Sequence, residues 1–122
     1  MFTEEALERF RNPKNTGKLK DYNAIGKSGD PDCSDVIKLF IKFENNRVID
    51  AKFQVYGCPG AISTTDIFID MIKGKKIKEI LKITNEQISD ALGGLPINHM
   101  HCSNLPMGSF KDAVKDYKKN EK

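Results

Sequence analysis

Between Val36 and Phe43 the chain alternates, with Ile37, Leu39, Ile41 and Phe43 on one parity and Lys38 and Lys42 on the other. A period of two marks a half-buried strand. Glu44-Asn45-Asn46-Arg47 follows, and asparagine tolerates the left-handed backbone angles of a tight turn. A second alternation predicts Ile49, Ala51, Phe53 and Val55 on the buried face and Asp50, Lys52 and Gln54 on the other. Together these runs predict an antiparallel hairpin whose apolar face needs a cover.

Downstream, the period lengthens to that of a helix. From Cys58 or Pro59 to Lys73, Ala61, Thr65, Ile69 and Ile72 fall at helical spacing with Phe68 beside them. Pro59 suits a first helical turn and Gly74 a C-terminal cap. A short helix is expected over Lys76 to Lys82, carrying Ile77, Ile80 and Leu81. Thr84 and Gln87 read as the capping box of another, which ends at Gly93-Gly94. Phe110, Ala113, Val114 and Tyr117 mark an amphipathic helix towards the C-terminus. At the other end, residues 3 to 11 predict a helix capped by Thr3, with Glu4 and Glu5 at its positive pole and Ala6, Leu7 and Phe10 as its apolar stripe. Asn12-Pro13 stops it. Lys14 to Asp32 is polar and contains Gly17, Gly26, Gly29 and Pro31, so one weak strand near Asn23 to Lys27 is expected within an irregular connection. Neither an internal repeat nor a linker interrupts the pattern. The expected architecture is a single α+β domain over residues 1–122: a small antiparallel sheet of about three strands covered on one side by several helices.

Composition narrows the function classes. With 39% hydrophobic and 30% charged residues in 122, the chain has the balance of a globular domain able to bury its own core. Its net charge of +3 is spread over both signs, and the small cluster Lys73-Gly74-Lys75-Lys76-Ile77-Lys78 reads as a solvated helix surface rather than a nucleic-acid footprint. No apolar run approaches the roughly 20 residues of a membrane span, and Met1-Phe2-Thr3-Glu4-Glu5 lacks the basic and apolar regions of a secretory signal. Three cysteines cannot pair completely. A reducing cytoplasm is the expected setting, where unpaired thiols serve metals or chemistry more often than cross-links.

Those three thiols carry the candidate chemistry. Cys58, in Tyr56-Gly57-Cys58-Pro59-Gly60, closes a strand and opens a helix. Unsatisfied N–H groups and the positive helix pole there favour thiolate, the form that binds metal and attacks sulfur. Taken singly, such a cysteine is more often a small buried hydrophobe. Cys33 and Asp35 stand two apart before the first strong strand, so in extended chain both project to the same side. Asp35 alone would read as a strand-edge charge. His101 and Cys102 are adjacent in a loop after Leu95-Pro96, with His99 close by as a substitute ligand or an exposed side chain. No CxxC or paired zinc-knuckle spacing is present. The weight lies in the combination: Cys33, Asp35, Cys58, His101 and Cys102 all fall at element boundaries, where a fold can gather them around zinc or an iron–sulfur cluster.

At these residues the chain resembles the U-type iron–sulfur cluster assembly scaffolds, the IscU family and the N-terminal domain of NifU. Asn12-Pro13-Lys14-Asn15 with Gly17 matches the early motif, and Cys33-Ser34-Asp35 sits where the family has Cys-Gly-Asp. Tyr56-Gly57-Cys58 matches the second motif; Leu92-Gly93-Gly94-Leu95-Pro96 with Met100-His101-Cys102-Ser103 matches the third. The resemblance runs over nearly the whole chain. It implies a scaffold rather than an enzyme with turnover of its own, one that accepts persulfide sulfur from a cysteine desulfurase and iron from an iron donor. It would pass a labile cluster to apo-proteins. Cys33, Cys58 and Cys102 would be cluster ligands, with Asp35 and His101 as the remaining candidates for cluster or zinc, and Cys102 the persulfide acceptor. A transient [2Fe–2S] cluster is the expected cargo, Zn2+ suits the same ligands in the protein as purified, and a homodimer is compatible with the cluster-bound form. Nucleic acid and membrane are not expected partners.

Three positions depart from the family pattern. Ser34 replaces its glycine, and Pro59 replaces another small residue. Leu95-Pro96-Ile97-Asn98-His99 stands where the family has the Leu-Pro-Pro-Val-Lys segment read by an Hsp70-type chaperone, so that partnership does not carry over directly. His99 occupies the place of the segment's lysine. The nearest alternative function is a zinc-dependent sulfurtransferase of the SufU type, a branch that typically has an insertion between the second and third cysteines for which this chain leaves no room. A structural zinc domain comes next. A Cys–His hydrolase comes last, since no oxyanion-hole motif or third orienting residue can be named.

Overall fold

The computed structural model describes residues 3–30, 35–56, 59–94 and 104–120. Its elements run in the order α1 (Glu4–Arg11), β1 (Ala24–Asp30), β2 (Asp35–Glu44), β3 (Arg47–Tyr56), α2 (Pro59–Ile72), α3 (Ile77–Ile80), α4 (Asn85–Ala91) and α5 (Asn104–Asn120). The three strands form one antiparallel sheet in the order β1-β2-β3. Asn45 and Asn46 close the β2–β3 turn with φ of 53° and 63°, the paired left-handed geometry that matches the twist of a two-residue hairpin. β1 is longer than its sequence pattern suggests. Asn23 extends its ladder with a side chain: its Oδ1 accepts the Phe43 N–H and its Nδ2 donates to the Phe43 carbonyl, both at 2.8 Å.

The inner face of β2 is as expected, with Ile37, Leu39, Ile41 and Phe43 all buried. On β3 the expectation fails at one residue. The register passes from Lys42↔Asp50 to Phe43↔Val48, leaving Ile49 as an extra residue in a bulge. A bulge reverses the alternation on one side of itself, so Val48 enters the core at 0% exposure while Ile49 is 49% exposed. Val48→Ala is therefore expected to cost about 2 kcal/mol through lost burial and a cavity. Ile49→Thr should stay within about 0.5 kcal/mol of wild type in the same urea titration.

The core lies between this face and the helices. Phe110 and Tyr117 of α5 close on Phe43, with ring centroids 6.0 Å and 4.6 Å away, and Phe68 of α2 meets Phe110 at 6.1 Å. α4 begins with both halves of its capping box made: Gln87 N–H donates to Thr84 Oγ1 at 3.2 Å and Thr84 N–H to Gln87 Oε1 at 2.8 Å. The segment before β1 is also structured. Residues Asn15 to Gly17 lie along the outer edge of β3, where Phe53 N–H donates to the Asn15 carbonyl and Gly17 N–H to the Phe53 carbonyl. The chain then crosses the back of the sheet, where Tyr22 packs edge-on against Phe40 at 5.2 Å. Phe40, on the polar parity of β2, is buried there at 1% exposure.

Candidate metal centre

Four of the five expected ligands, Cys33, Cys58, His101 and Cys102, lie outside the described residues, as does His99. Asp35 is the first residue of β2, paired across the ladder with Asp30 of β1. Among the described residues, no group of three or more His, Cys, Asp or Glu could hold a metal ion. The geometry therefore speaks through the elements that carry these residues. Asp30↔Asp35 is the last pair of β1 with β2, and Val36↔Tyr56 is the first pair of β2 with β3. The end of β1, the start of β2 and the end of β3 thus share one end of the sheet. The connection containing Cys33 and the connection containing Cys58 both leave from that end. α5, which follows Cys102, reaches the same end of β1: a Cβ at Gly108 would lie 2.9 Å from Ser28 Oγ. The described element ends next in sequence to the three cysteines thus lie towards one end of the sheet.

This end of the sheet presents apolar surface. Tyr56 is 81% exposed and Val36 half exposed.

Behind it lies a buried network that the periodicity did not reveal. The stripe expected on α1 was Ala6, Leu7 and Phe10, yet the buried residues are Ala6 and Arg9, and Phe10 is 39% exposed. Arg9 turns towards α2, where its terminal nitrogen donates to Asp66 and Asp70, each at 2.8 Å, while Nε donates to Glu5 at 2.9 Å. Asp66 is fully buried. Its Oδ1 also accepts the backbone N–H groups of Lys14 and Asn15, both at 2.9 Å, and Asn15 Nδ2 at 3.1 Å. This one carboxylate clamps α1 and the Asn12-Pro13-Lys14-Asn15 motif onto the helix that follows Cys58. A signal was available: Asp66 and Asp70 stand at i, i+4 on an otherwise apolar or small-residue helix, where unpaired carboxylates are costly.

Charge follows geometry in this network. Burial works against the Arg9 cation, but hydrogen bonds to Asp70, Glu5 and Asp66 outweigh it and raise its pKa above the ordinary value. Burial likewise pushes the Asp70 carboxyl up, and hydrogen bonds from Arg9 and Asn15 more than reverse this, holding it below the ordinary value of 3.8. A depressed folded-state pKa means that the unfolded chain takes up the proton first. The resulting stability is complete above 3.8 and is lost as pH falls through the folded value. Asp70→Asn should therefore flatten the fall of stability below that pH, measured by urea titration at a series of pH values.

Comparison with known proteins places the chain. The family described as NifU-like N terminal domain matches residues 1–122. The chain is 44% identical over 123 residues to the protein named iron-sulfur cluster assembly scaffold protein IscU 1 of Archaeoglobus fulgidus, covering 100% of this chain and 80% of that protein. With the protein named iron-sulfur cluster assembly scaffold protein IscU of Aquifex aeolicus, identity is 39% over 118 residues, 95% of this chain and 75% of that one. Among solved structures, a SUF-system iron-sulfur cluster assembly scaffold from Fervidobacterium islandicum AW-1 superposes with a TM-score of 0.76 at 21% identity, over 93% of this chain and 96% of that one, a likeness of fold. The chain belongs to the family of NifU-like N-terminal domains, with IscU proteins among its relatives.

Proposed function

We propose that this protein is a scaffold on which an iron–sulfur cluster is built and from which it is handed on. The cluster is cargo. Iron from a donor and sulfur from a cysteine desulfurase meet between Cys33, Cys58 and Cys102, with Asp35 and His101 as the further ligand candidates, and the product leaves for apo-proteins. One observation supports this reading: the end of β1, the start of β2 and the end of β3 share one end of the sheet, which the start of α5 also approaches, and these are the described element ends next in sequence to Cys33, Cys58 and Cys102. The names of the relatives at 39–44% identity support it.

Sulfur arrives by exchange. The Cys102 thiolate attacks the outer sulfur of the desulfurase persulfide; the donor S–S bond breaks, the donor cysteine leaves as thiolate, and the persulfide now sits on Cys102. Conversion of that sulfur to sulfide takes two electrons, supplied by an external thiol or a reduced electron-carrier protein. The protein is a carrier in this sequence and has no independent turnover. A carboxylate among thiolates holds iron less firmly than a fourth thiolate, which suits a cluster meant to leave. The same donor set also suits Zn2+.

The test is an absorption spectrum after anaerobic incubation with ferrous iron, cysteine and a cysteine desulfurase. Visible sulfide-to-iron charge-transfer bands, bleached by apo-ferredoxin, are expected, and Asp35→Cys, which offers the fourth thiolate, should slow that bleaching. A flat spectrum with persulfide on Cys102 would transfer the reading to a zinc-dependent sulfurtransferase of the SufU type. Neither signal, with zinc retained, would leave a structural zinc domain.

A further inference from the structure

The helices cover one face of the sheet, and the strand register fixes what the other face carries. Opposite in parity to the core residues of β2 stand Val36, Lys38, Phe40 and Lys42. Across the ladder Lys38 faces Lys27 of β1, Phe40 faces Lys52 of β3, and Lys42 faces Asp50. Asp50 is the one carboxylate in these rows, and it is engaged elsewhere: its Oδ1 accepts the Ala51 N–H at 2.8 Å and lies 3.6 Å from Lys73 Nζ. Among the described residues, none of Lys27, Lys38, Lys42 and Lys52 forms an ion pair.

Two of these cations are set against each other. The N–H groups of Ile25 and Lys27 point away from β2, to Asp116 and Asp112 of α5, each at 2.9 Å. Lys27↔Lys38 is therefore a non-hydrogen-bonded pair, the kind whose Cβ atoms lie only about 5 Å apart. Like charges placed so work against the fold. Lys38 Nζ lies 5.3 Å from the centre of the Phe40 ring and Lys18 Nζ 5.8 Å from that of Tyr22, which packs on Phe40. Lys18 thus joins the same face, where lysine stems cover an aromatic floor and the charges stay in solvent. The whole chain is nearly balanced, with 20 Lys and Arg to 17 Asp and Glu, so this excess is local. Solubility asks for mixed charge and gives no reason to oppose two cations.

We propose that the open face of the sheet is a docking surface for an acidic protein, whose carboxylates meet Lys18, Lys27, Lys38, Lys42 and Lys52. The chemistry of the face selects this occupant. Nucleic acid would need open rings for its bases, whereas Phe40 is buried and Tyr22 stands edge-on against it. Arginine, whose fork fits phosphate, does not occur in 24–30, 36–42 or 50–56. Val36 and Tyr56, paired at one end of the face and exposed, are too few to hold a bilayer surface. An exposed aromatic beside a field of one sign instead suits a protein interface, with an anchor and a complementary surround. The proposal does not depend on the scaffold reading.

The test titrates the full-length, 15N-labelled protein with a hexaglutamate peptide at low ionic strength. Amide shifts are expected to concentrate on the strands around Lys27, Lys38, Lys42 and Lys52. Lys38→Gln/Lys42→Gln/Lys52→Gln should weaken binding about tenfold, and the equally charged control Lys75→Gln/Lys78→Gln/Lys118→Gln less than about twofold. No binding, shifts spread over all lysines, or equal losses in the two variants would overturn the proposal. So would tighter binding of oligothymidylate or of phosphatidylserine vesicles to the same residues, which would make the face a nucleic-acid or membrane surface. Self-association of the wild type that disappears in the first variant would overturn it too, giving the face to a second copy of the chain. The shift map is read on the wild type, so it decides even if a variant unfolds.

Discussion

Gly26→Ala is expected to destabilise the protein by about 3 kcal/mol or more, at the upper end of what overpacking costs. The added Cβ would sit 1.8 Å from the Ser109 carbonyl oxygen, 2.7 Å from the Ala113 amide nitrogen and 2.9 Å from the Ala113 Cβ. Two of these atoms are helix backbone, which cannot swing aside as a side-chain tip can. Relief requires lifting α5 from β1, and that would break the bonds from Lys27 to Asp112 and from Ile25 to Asp116 while opening the core at Phe110 and Ala113. Gly74→Ala provides the contrast. Gly74 has φ of +82° but no atom within 4 Å of the new carbon, so only backbone strain remains, about 1 kcal/mol. Urea titration of both variants checks the pair. Equal, small effects would mean that α5 does not rest on the strand at Gly26.

Asp66→Ala should cost about 3–5 kcal/mol, the range for removing one partner from a buried ion pair. The loss strands more than the charge of Arg9, which keeps Asp70 and Glu5. The N–H groups of Lys14 and Asn15, drawn inward by Asp66 Oδ1, would be left without that acceptor. Arg9→Met should cost less, because Asp66 retains three donors from Lys14 and Asn15. Combining the two changes should cost less than their sum, since the residues share one network. Thermodynamic cycles from chemical denaturation give that coupling directly. Strict additivity would mean that the Arg9–Asp66 contact contributes nothing beyond its separate halves.

The pattern of apolar residues was sufficient for the hairpin, the asparagine turn, the cap at Thr84 and the core stripe of α5, because each depends on contacts within a few residues or on burial of one face. Three features escaped it for a common reason. The bulge at Ile49 is a relation between two strands, so alternation along β3 alone pointed to the wrong residue. Arg9 reads as a surface charge until α2 brings Asp66 and Asp70 against it. β1, rich in glycine and short of apolar residues, has little strand propensity of its own; its extent is set by pairing with β2 and by the carboxylates of α5.

The site divides along the same line. Residue type and motif name the candidate ligands Cys33, Asp35, Cys58, His101 and Cys102. What joins the elements beside them was not legible there. By itself the sequence determined the local elements and supplied the candidate donors, because residue type, caps and periodicity are properties of residues and their near neighbours. Only the tertiary structure decided that the ends of β1 and β3 flank the start of β2 at one end of the sheet and that α5 packs along β1, because strand register and the Gly26–Ser109 approach are relations between residues tens of positions apart.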